Sequence, residues 1–211
     1  MKKIFLLLFF VIIWNGLFAQ TTDEQIRQAA NSLGVPFDDL RQFVQTHQGT
    51  EISYNIGDKG PAGGLIFYDK GNNTGGWRYL EAAPADLGKA QWQSNATDVT
   101  GTKDNIGTGK QNTQLIGDGG RAALLCQQYS QGGYRDWFLP SKSELDLMHI
   151  NLKMKNLGNF SDEWYWSSSQ NNWETVWTQR FSDGHQTADN RYPRYEGAKG
   201  NAYSVRACRQ F

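Results

Sequence analysis

The chain combines many large aromatic side chains with many glycines. Its 211 residues include 8 Trp, 9 Tyr and 11 Phe beside 23 Gly. Large rings fill the gaps of an irregular core, and glycine permits tight turns that other residues resist. Glycine-rich linkers, by contrast, lack aromatic residues. The combination therefore predicts a loop-rich, folded domain rather than long regular helices or a flexible linker.

The first 19 residues are predicted to form a cleavable secretory signal. Two lysines precede an apolar run over residues 4–13, and Ala19 stands before a polar residue, which is the order found in signal peptides. A membrane anchor is the alternative, but spanning takes about 20 apolar residues, and Asn15 and Gly16 interrupt the run. No cysteine stands directly after it, which argues against a lipoprotein. We therefore expect export to the periplasm, the outer surface or the medium, without membrane insertion after cleavage.

The net charge of the chain does not indicate which kind of partner it binds. It has 21 basic and 21 acidic residues, and no basic stripe of the kind that binds nucleic acid. After cleavage, about 190 residues would remain, which suits one domain with a small appendage. We expect a short helical segment over residues 20–50 and a domain over residues 51–211.

The chain has two cysteines, Cys126 and Cys208. In an oxidising compartment, a single pair most simply forms a disulfide. Closing a loop of this length would contribute about 4 kcal/mol in the chain-entropy model. Two buried free thiols are the alternative.

The segment at residues 20–50 has the pattern of two short helices. Apolar residues from Ile26 to Leu33 recur at helical spacing, Gly34 ends the first run, and Pro36 can open the second. Helices of this length are marginal alone in water, so they must pack on something. The segment is either a helical spacer or an element through which the chain forms homo-oligomers.

From residue 52 onward, short apolar runs alternate with turn signals. Strands are predicted at residues 63–68, 77–80, 165–169, 175–181 and 203–211. A long polar surface loop is expected at residues 93–112. One helix is expected around Leu125, and a second after Ser141, which forms a capping box with Glu144.

Several separated stretches of the domain resemble one known family. They are residues 60–68, 132–145 (GGYRDWFLPSKSEL), 165–169 (YWSSS), 177–184 and 204–209 (SVRACR). In this order they resemble the DUF1566 family, also called the Lcl C-terminal domain. The resemblance covers about residues 52–211.

The resemblance implies an α+β, C-type-lectin-like fold with two helices, small twisted antiparallel sheets and long loops. In that fold the first and last strands pair. The family is bacterial, and its members are mostly secreted or surface proteins. The member that names it is an adhesin domain that binds sulfated polysaccharides. Related lectin-like domains include the formylglycine-generating enzymes, which use paired cysteines, but their Gly-Asn-Val-Trp-Glu-Trp stretch is absent here.

The best candidate ligand site lies in residues 170–200. Trp, Tyr and Arg side chains combine there with Asn in predicted loops, and such mixtures make good binding surfaces. The candidate ligand-binding residues are Trp173, Arg191, Tyr192, Arg194 and Tyr195. The alternative is an ordinary loop whose aromatic rings turn inward.

No catalytic residue is expected. Residues 167–169 are serines, and Asp183 and His185 follow, but no Gly-x-Ser-x-Gly nucleophile elbow is present. The three histidines have no metal-ligand spacing. We expect no cofactor, and calcium is the alternative because one polar loop is rich in oxygen ligands. Its candidate ligands are Asn95, Asp98, Asp104 and Asn105.

The motif aromatics are expected in the core, and Arg206 and Arg209 are expected to pair with buried carboxylates. The predicted core residues are Trp137, Phe138, Leu139, Trp166 and Trp177. The sequence therefore predicts a non-catalytic binding module that recognises a glycan or a protein at the cell surface. A formylglycine-generating-type enzyme and an assembly protein that oligomerises through residues 21–49 are the alternatives.

Overall fold

The computed structural model describes residues 23–47, 53–94, 97–189, 191 and 195–211. The predicted signal peptide lies outside these residues. The chain divides into two compact units, Met1–Ser53 and Tyr54–Phe211. In the part of the chain that is described, no helix has both the length and the apolar character needed to cross a membrane.

The first unit contains the two predicted helices, α1 (Asp23–Leu33) and α2 (Phe37–His47). Their apolar faces pack on each other through Ile26 and Ala30 of α1 and Leu40 and Val44 of α2. This mutual burial explains how two helices of 11 residues hold together.

The second unit is a mixed α+β domain with small sheets, as predicted. Its helices are α3 (Gly109–Ile116), α4 (Arg121–Gln128) and α5 (Lys142–Asn151). Its strands are β1 (Leu65–Asp69), β2 (Tyr79–Ala82), β3 (Lys89–Gln91), β4 (Trp164–Gln170), β5 (Val176–Arg180), β6 (Gln186–Thr187), β7 (Ala202–Ser204) and β8 (Cys208–Gln210).

The strands form two sheets. The first has the order β1-β2-β8 and the second has the order β3-β7-β4-β5-β6. The pairing of β4 with β7 is parallel, through Tyr165 and Ser204, and the other pairs among these strands are antiparallel. The resemblance implied that the first and last strands pair, and this expectation is wrong here: β8 pairs with β2, because β2 lies between β1 and β8.

The predicted strand at residues 203–211 is one extended run that belongs to both sheets. It pairs with residues 79–91 as β8 on β2 and as β7 on β3. Between these pairings, Ala83 N donates to Ala207 O at 2.9 Å and Leu87 N donates to Val205 O at 2.8 Å. Pro84 lies between β2 and β3, in the segment that faces this run, and has no N–H to donate. The ladder is therefore interrupted there, and one predicted strand becomes two.

A helix begins inside the segment that was predicted as a surface loop. The Glu144 carboxylate of α5 accepts hydrogen bonds from Gly107 N at 2.7 Å and from Gly109 N at 3.4 Å. These bonds satisfy N–H groups at the start of α3 that have no partner within the helix. The domain therefore has three α-helices in its described part, not two. The predicted capping box of Ser141 and Glu144 is confirmed.

The predicted core is largely confirmed. Trp137, Phe138, Leu139 and Trp166 are buried. Trp177 is the exception: it is half-buried, and the Lys142 Nζ lies 3.3 Å from the centre of its ring. Trp177 faces away from the core because alternate residues of a strand point to opposite sides of the sheet.

Arg206 and Arg209 pair with carboxylates, as predicted. Arg206 Nε lies 2.7 Å from Asp86 Oδ1. Arg209 reaches two carboxylates, with Nη1 at 3.2 Å from Glu81 Oε2 and Nε at 2.9 Å from Asp136 Oδ1. The Arg209 and Glu81 side chains are almost completely buried, so each charge is stabilised by the other rather than by water.

We predict that Arg209→Met destabilises the domain by about 3–5 kcal/mol, because it leaves the buried Glu81 carboxylate without its cation. The free energy of unfolding in urea measures this loss. Arg180→Met is the matched control, since Arg180 pairs with Asp183 at the surface and exposed pairs contribute little. Equal losses in the two variants would show that the buried pair has no special role.

Candidate functional site

The turn between β4 and β5 is held by its own asparagines. Asn172 Oδ1 accepts hydrogen bonds from Glu174 N at 2.9 Å and Thr175 N at 3.0 Å. Asn171 N donates to Thr175 O at 2.9 Å, and its Nδ2 donates to Thr175 Oγ1 at 3.0 Å. Asparagine side chains of this kind replace backbone partners in tight turns. The turn therefore presents the residue at its tip, Trp173, from a fixed backbone.

A second segment, residues 195–199, pairs with this turn. Thr175 and Ala198 form an antiparallel bridge, and Val176 N donates to Gly197 O at 2.9 Å. The second segment folds back on itself, since Ala198 N donates to Tyr195 O at 3.1 Å. Trp173 and Tyr195 therefore lie within two or three residues of the same bridge.

The structure places three of the five predicted ligand-binding residues at the surface. Trp173 is 55% exposed and Tyr195 is 44% exposed, and the Arg191 side chain is 88% exposed. Tyr192 and Arg194 lie outside the described residues. We call the exposed side chains of Trp173, Arg191 and Tyr195 the loop surface. Their ligand role stays a prediction, but the two rings do not turn inward.

The charge of the loop surface is balanced. Arg191 forms a two-point pair with Asp189, with Nε at 2.9 Å from Oδ1 and Nη2 at 2.8 Å from Oδ2. This pairing raises the pKa of the Arg191 guanidinium and opposes its charge. Burial raises the pKa of the Tyr203 phenol, and the negative charge of Glu196, a second carboxylate in this region, raises it further. The described part of this surface therefore does not form the basic patch that a sulfated polysaccharide would need.

Beneath the loop surface, Lys199 is buried with 2% of its surface exposed. Its Nζ donates to Thr97 O and to Gln170 Oε1, both at 2.6 Å, and lies 4.9 Å from the centre of the Trp92 ring. One ammonium thus joins the second segment, the polar loop and the end of β4. No local sequence pattern signals the burial of Lys199.

Gln170 completes the connection between these parts. Its Oε1 also accepts a hydrogen bond from Val99 N at 2.9 Å, and its Nε2 donates to Asp98 Oδ1 at 2.6 Å. The Lys199 ammonium therefore binds the oxygens of Thr97 and Gln170, and the amide nitrogen of Gln170 binds Asp98. In this region the lysine supplies the positive charge between oxygen ligands.

Two of the other candidate calcium ligands, Asp104 and Asn105, have protein partners of their own. Asp104 Oδ2 lies 4.0 Å from Lys142 Nζ, and Asn105 O accepts a hydrogen bond from Ser141 Oγ at 2.9 Å. Asn95 lies outside the described residues. Within the described ranges, no three His, Cys, Asp or Glu residues form a cluster that could hold a metal ion.

Burial lowers the pKa of Lys199 to about 8. Between about pH 8 and the ordinary lysine value near 10.5, the unfolded chain therefore binds one more proton than the folded chain, and stability rises with pH. We predict that the stability advantage of the wild type over Lys199→Met increases by about 1–2 kcal/mol from pH 7.5 to pH 9.5. Urea unfolding at both pH values measures it.

A constant difference between the two proteins would show that Lys199 keeps its ordinary pKa. The comparison with Lys199→Met removes the titration of the other groups, which both proteins share. Lys155→Met is the control, since it removes an exposed lysine in the turn after α5, and a pH-dependent difference of the same size in this variant would show that the effect is not specific to Lys199.

The serines of β4 are part of the core hydrogen-bond network. Ser167 Oγ donates to Trp177 O at 2.6 Å, and Ser169 Oγ donates to Lys103 O at 2.8 Å. Ser168 accepts a hydrogen bond from Asn112 Nδ2 at 3.2 Å. Asp183 pairs with Arg180 at the surface. The serines therefore fasten β4 to its neighbours.

The predicted disulfide is not present: Cys126 and Cys208 are free, buried thiols. They belong to different apolar clusters. Cys126 packs with Trp137 and Trp166, whereas Cys208 packs with residues such as Phe138. Burial raises the pKa of both thiols, so both remain neutral and act as small apolar side chains.

We predict that both thiols react slowly with Ellman's reagent in the native protein and fully in denaturant, because the thiolate is the reactive form and both side chains are enclosed. Rapid labelling of either cysteine in the native state would contradict the burial and would favour a reactive-cysteine enzyme. Non-reducing mass spectrometry of the exported protein would detect any disulfide.

No protein-family model matches the chain, and no curated protein matches it. Among solved structures, a fimbrial protein from Bacteroides ovatus is similar at 15% sequence identity, with a TM-score of 0.44. The match covers 78% of this chain, and the chain spans 47% of that protein. A likeness this distant carries no inference about the function of this chain.

Proposed function

We propose that the chain is an exported, non-catalytic binding module that recognises a glycan or a protein ligand through the loop surface. One observation carries the proposal: two exposed aromatic rings, Trp173 and Tyr195, stand on backbone that is held by the Thr175–Ala198 bridge and by buried Lys199. Exposed aromatic rings on a rigid frame bind at low entropic cost.

A neutral, hydroxyl-rich glycan fits this surface best. Aromatic rings stack on the apolar faces of sugar rings, and the asparagines and the paired Arg191 offer hydrogen bonds. Because Asp189 already opposes the charge of Arg191, an anionic ligand would gain little from it. A protein ligand is the remaining choice, since Trp, Tyr and Arg are also the residues that dominate protein interfaces.

The resemblance to the DUF1566 family and the predicted signal peptide support a position outside the cytoplasm. The enzyme alternative would require an accessible thiolate, and the burial of Cys126 and Cys208 gives it no support. We therefore propose that this chain acts by binding a ligand.

We predict that the mature protein binds a neutral glycan saturably and that Trp173→Ala weakens this binding at least tenfold. A central aromatic contact of this kind contributes about 2 kcal/mol or more, and tenfold corresponds to about 1.4 kcal/mol. A glycan array identifies the ligand, and titration calorimetry with and without calcium measures the affinity.

Met154→Ala is the matched control. Met154 is 67% exposed, more than Trp173, and follows α5 rather than the loop surface. Binding that is lost equally in both variants would point to general stickiness of exposed apolar groups. If no glycan binds, the loop surface should be tested against proteins of the cell envelope, and the glycan form of the proposal fails.

A further inference from the structure

A polar cleft lies apart in sequence from the loop surface, at the end of α4. It has a volume of about 360 Å³ and is lined by Gln127, Gln128, Tyr129, Ser130 and Arg135. Small-molecule sites have volumes of about 300–1,000 Å³, so the cleft has room for about one sugar unit. All five lining residues carry hydrogen-bonding groups, and one carries a positive charge.

The charge in the cleft has no partner in the described part of the domain. Among the arginines described in this unit, Arg121 and Arg135 are the two without an ion pair. Arg121 is exposed at the start of α4 and does not line the cleft. The Arg135 guanidinium is therefore an uncompensated planar cation beside neutral carboxamides and hydroxyls.

The backbone that carries Arg135 is fixed on both sides. Gly132 and Gly133 form a tight turn with φ values of 59° and 85°, closed by paired hydrogen bonds between Gln131 and Tyr134. A side chain at Gly132 would collide with the Ala62 backbone, since a Cβ there would lie 2.6 Å from Ala62 O. The turn therefore packs tightly and leaves little freedom to the residues that follow.

The neighbours of Arg135 are both held by Arg209. The Arg209 guanidinium lies 4.0 Å from the centre of the Tyr134 ring and makes a two-point pair with Asp136. Because Tyr134 and Asp136 both contact Arg209 on one side, Arg135 is left to line the cleft. Across the cleft, the Tyr129 ring packs edge-to-face on buried Trp137 at 5.2 Å, which holds this wall in place.

We infer that this cleft binds a saccharide unit that carries a carboxylate, such as a uronic or sialic acid. The planar guanidinium of Arg135 pairs with the carboxylate through two parallel hydrogen bonds. The Gln127 and Gln128 carboxamides and the Ser130 hydroxyl bind the sugar hydroxyls, and the Tyr129 ring offers an aromatic face. A lining without aliphatic side chains favours a hydroxyl-rich ligand over an apolar acid. This site is independent of the proposed function of the loop surface.

The test uses the full mature protein with two acidic probes, trigalacturonate and sialyllactose, and their neutral counterparts, methyl-esterified trigalacturonate and lactose. Titration calorimetry at physiological salt should show binding of at least one acidic probe and at least tenfold weaker binding of its counterpart. Arg135→Ala should weaken the acidic probe at least tenfold. Arg121→Ala removes the same charge outside the cleft and should leave the affinity unchanged.

Several outcomes would overturn the inference. These are no binding of either acidic probe, equal weakening by Arg121→Ala, or a sulfated oligosaccharide without carboxylates that binds as tightly as the carboxylate probe. A lower melting temperature of Arg135→Ala with unchanged binding would show that Arg135 stabilises the fold rather than binding a ligand. Trp173→Ala separates this site from the loop surface, since it should not change binding of the acidic probe even where it abolishes binding of a neutral glycan.

Discussion

The pair between Glu81 and Arg209 is the interaction on which the domain most depends. Glu81 lies on β2, the central strand of the first sheet, and Arg209 lies on β8 directly opposite. The Glu81 carboxylate also accepts hydrogen bonds from Gly64 N at 2.7 Å and Ala62 N at 3.3 Å. A side chain at position 60 would displace it, because a Cβ at Gly60 would lie 2.4 Å from the carboxylate carbon. One buried charge pair thus fixes the last strand, the loop before β1 and the segment at Asp136.

Two further buried charges, on Glu144 and Lys199, hold the polar loop at residues 93–112 in place. Burial raises the pKa of Glu144 to about 7, yet its carboxylate receives the N–H groups of Gly107 and Ser141 at 2.7 Å each, so these donors offset part of the cost of burial. Lys199 connects the other end of the polar region to β4 and β5. A long segment with few apolar residues therefore keeps a defined course through hydrogen bonds to buried charges rather than through apolar contacts of its own.

The difference between local and distant partners explains what the sequence predicted. The capping box of Ser141 and Glu144 depends on residues one turn apart, and each N-terminal helix shows as a periodic apolar run of its own, and both features were found. Helix α3 needs a carboxylate 35 residues further along the chain, and Lys199 needs a carbonyl 102 residues before it. No window of sequence contains such pairs. The predicted ligand residues came from composition alone, which located the loops of Trp173 and Tyr195 but missed the cleft at Arg135.

Both candidate recognition surfaces lie close in the chain to a buried anchor. Arg135 stands between two residues that contact Arg209, and Trp173 stands at the tip of a turn whose neighbouring segment is held by Lys199. An exposed side chain on such backbone can be replaced without removing any anchor, so ligand contacts and stability depend on different residues. A change at Arg209 or Lys199, by contrast, moves several segments together. The frame can therefore present an aromatic surface and a cationic cleft at once, because its anchors Arg209 and Lys199 are buried while Trp173 and Arg135 are exposed.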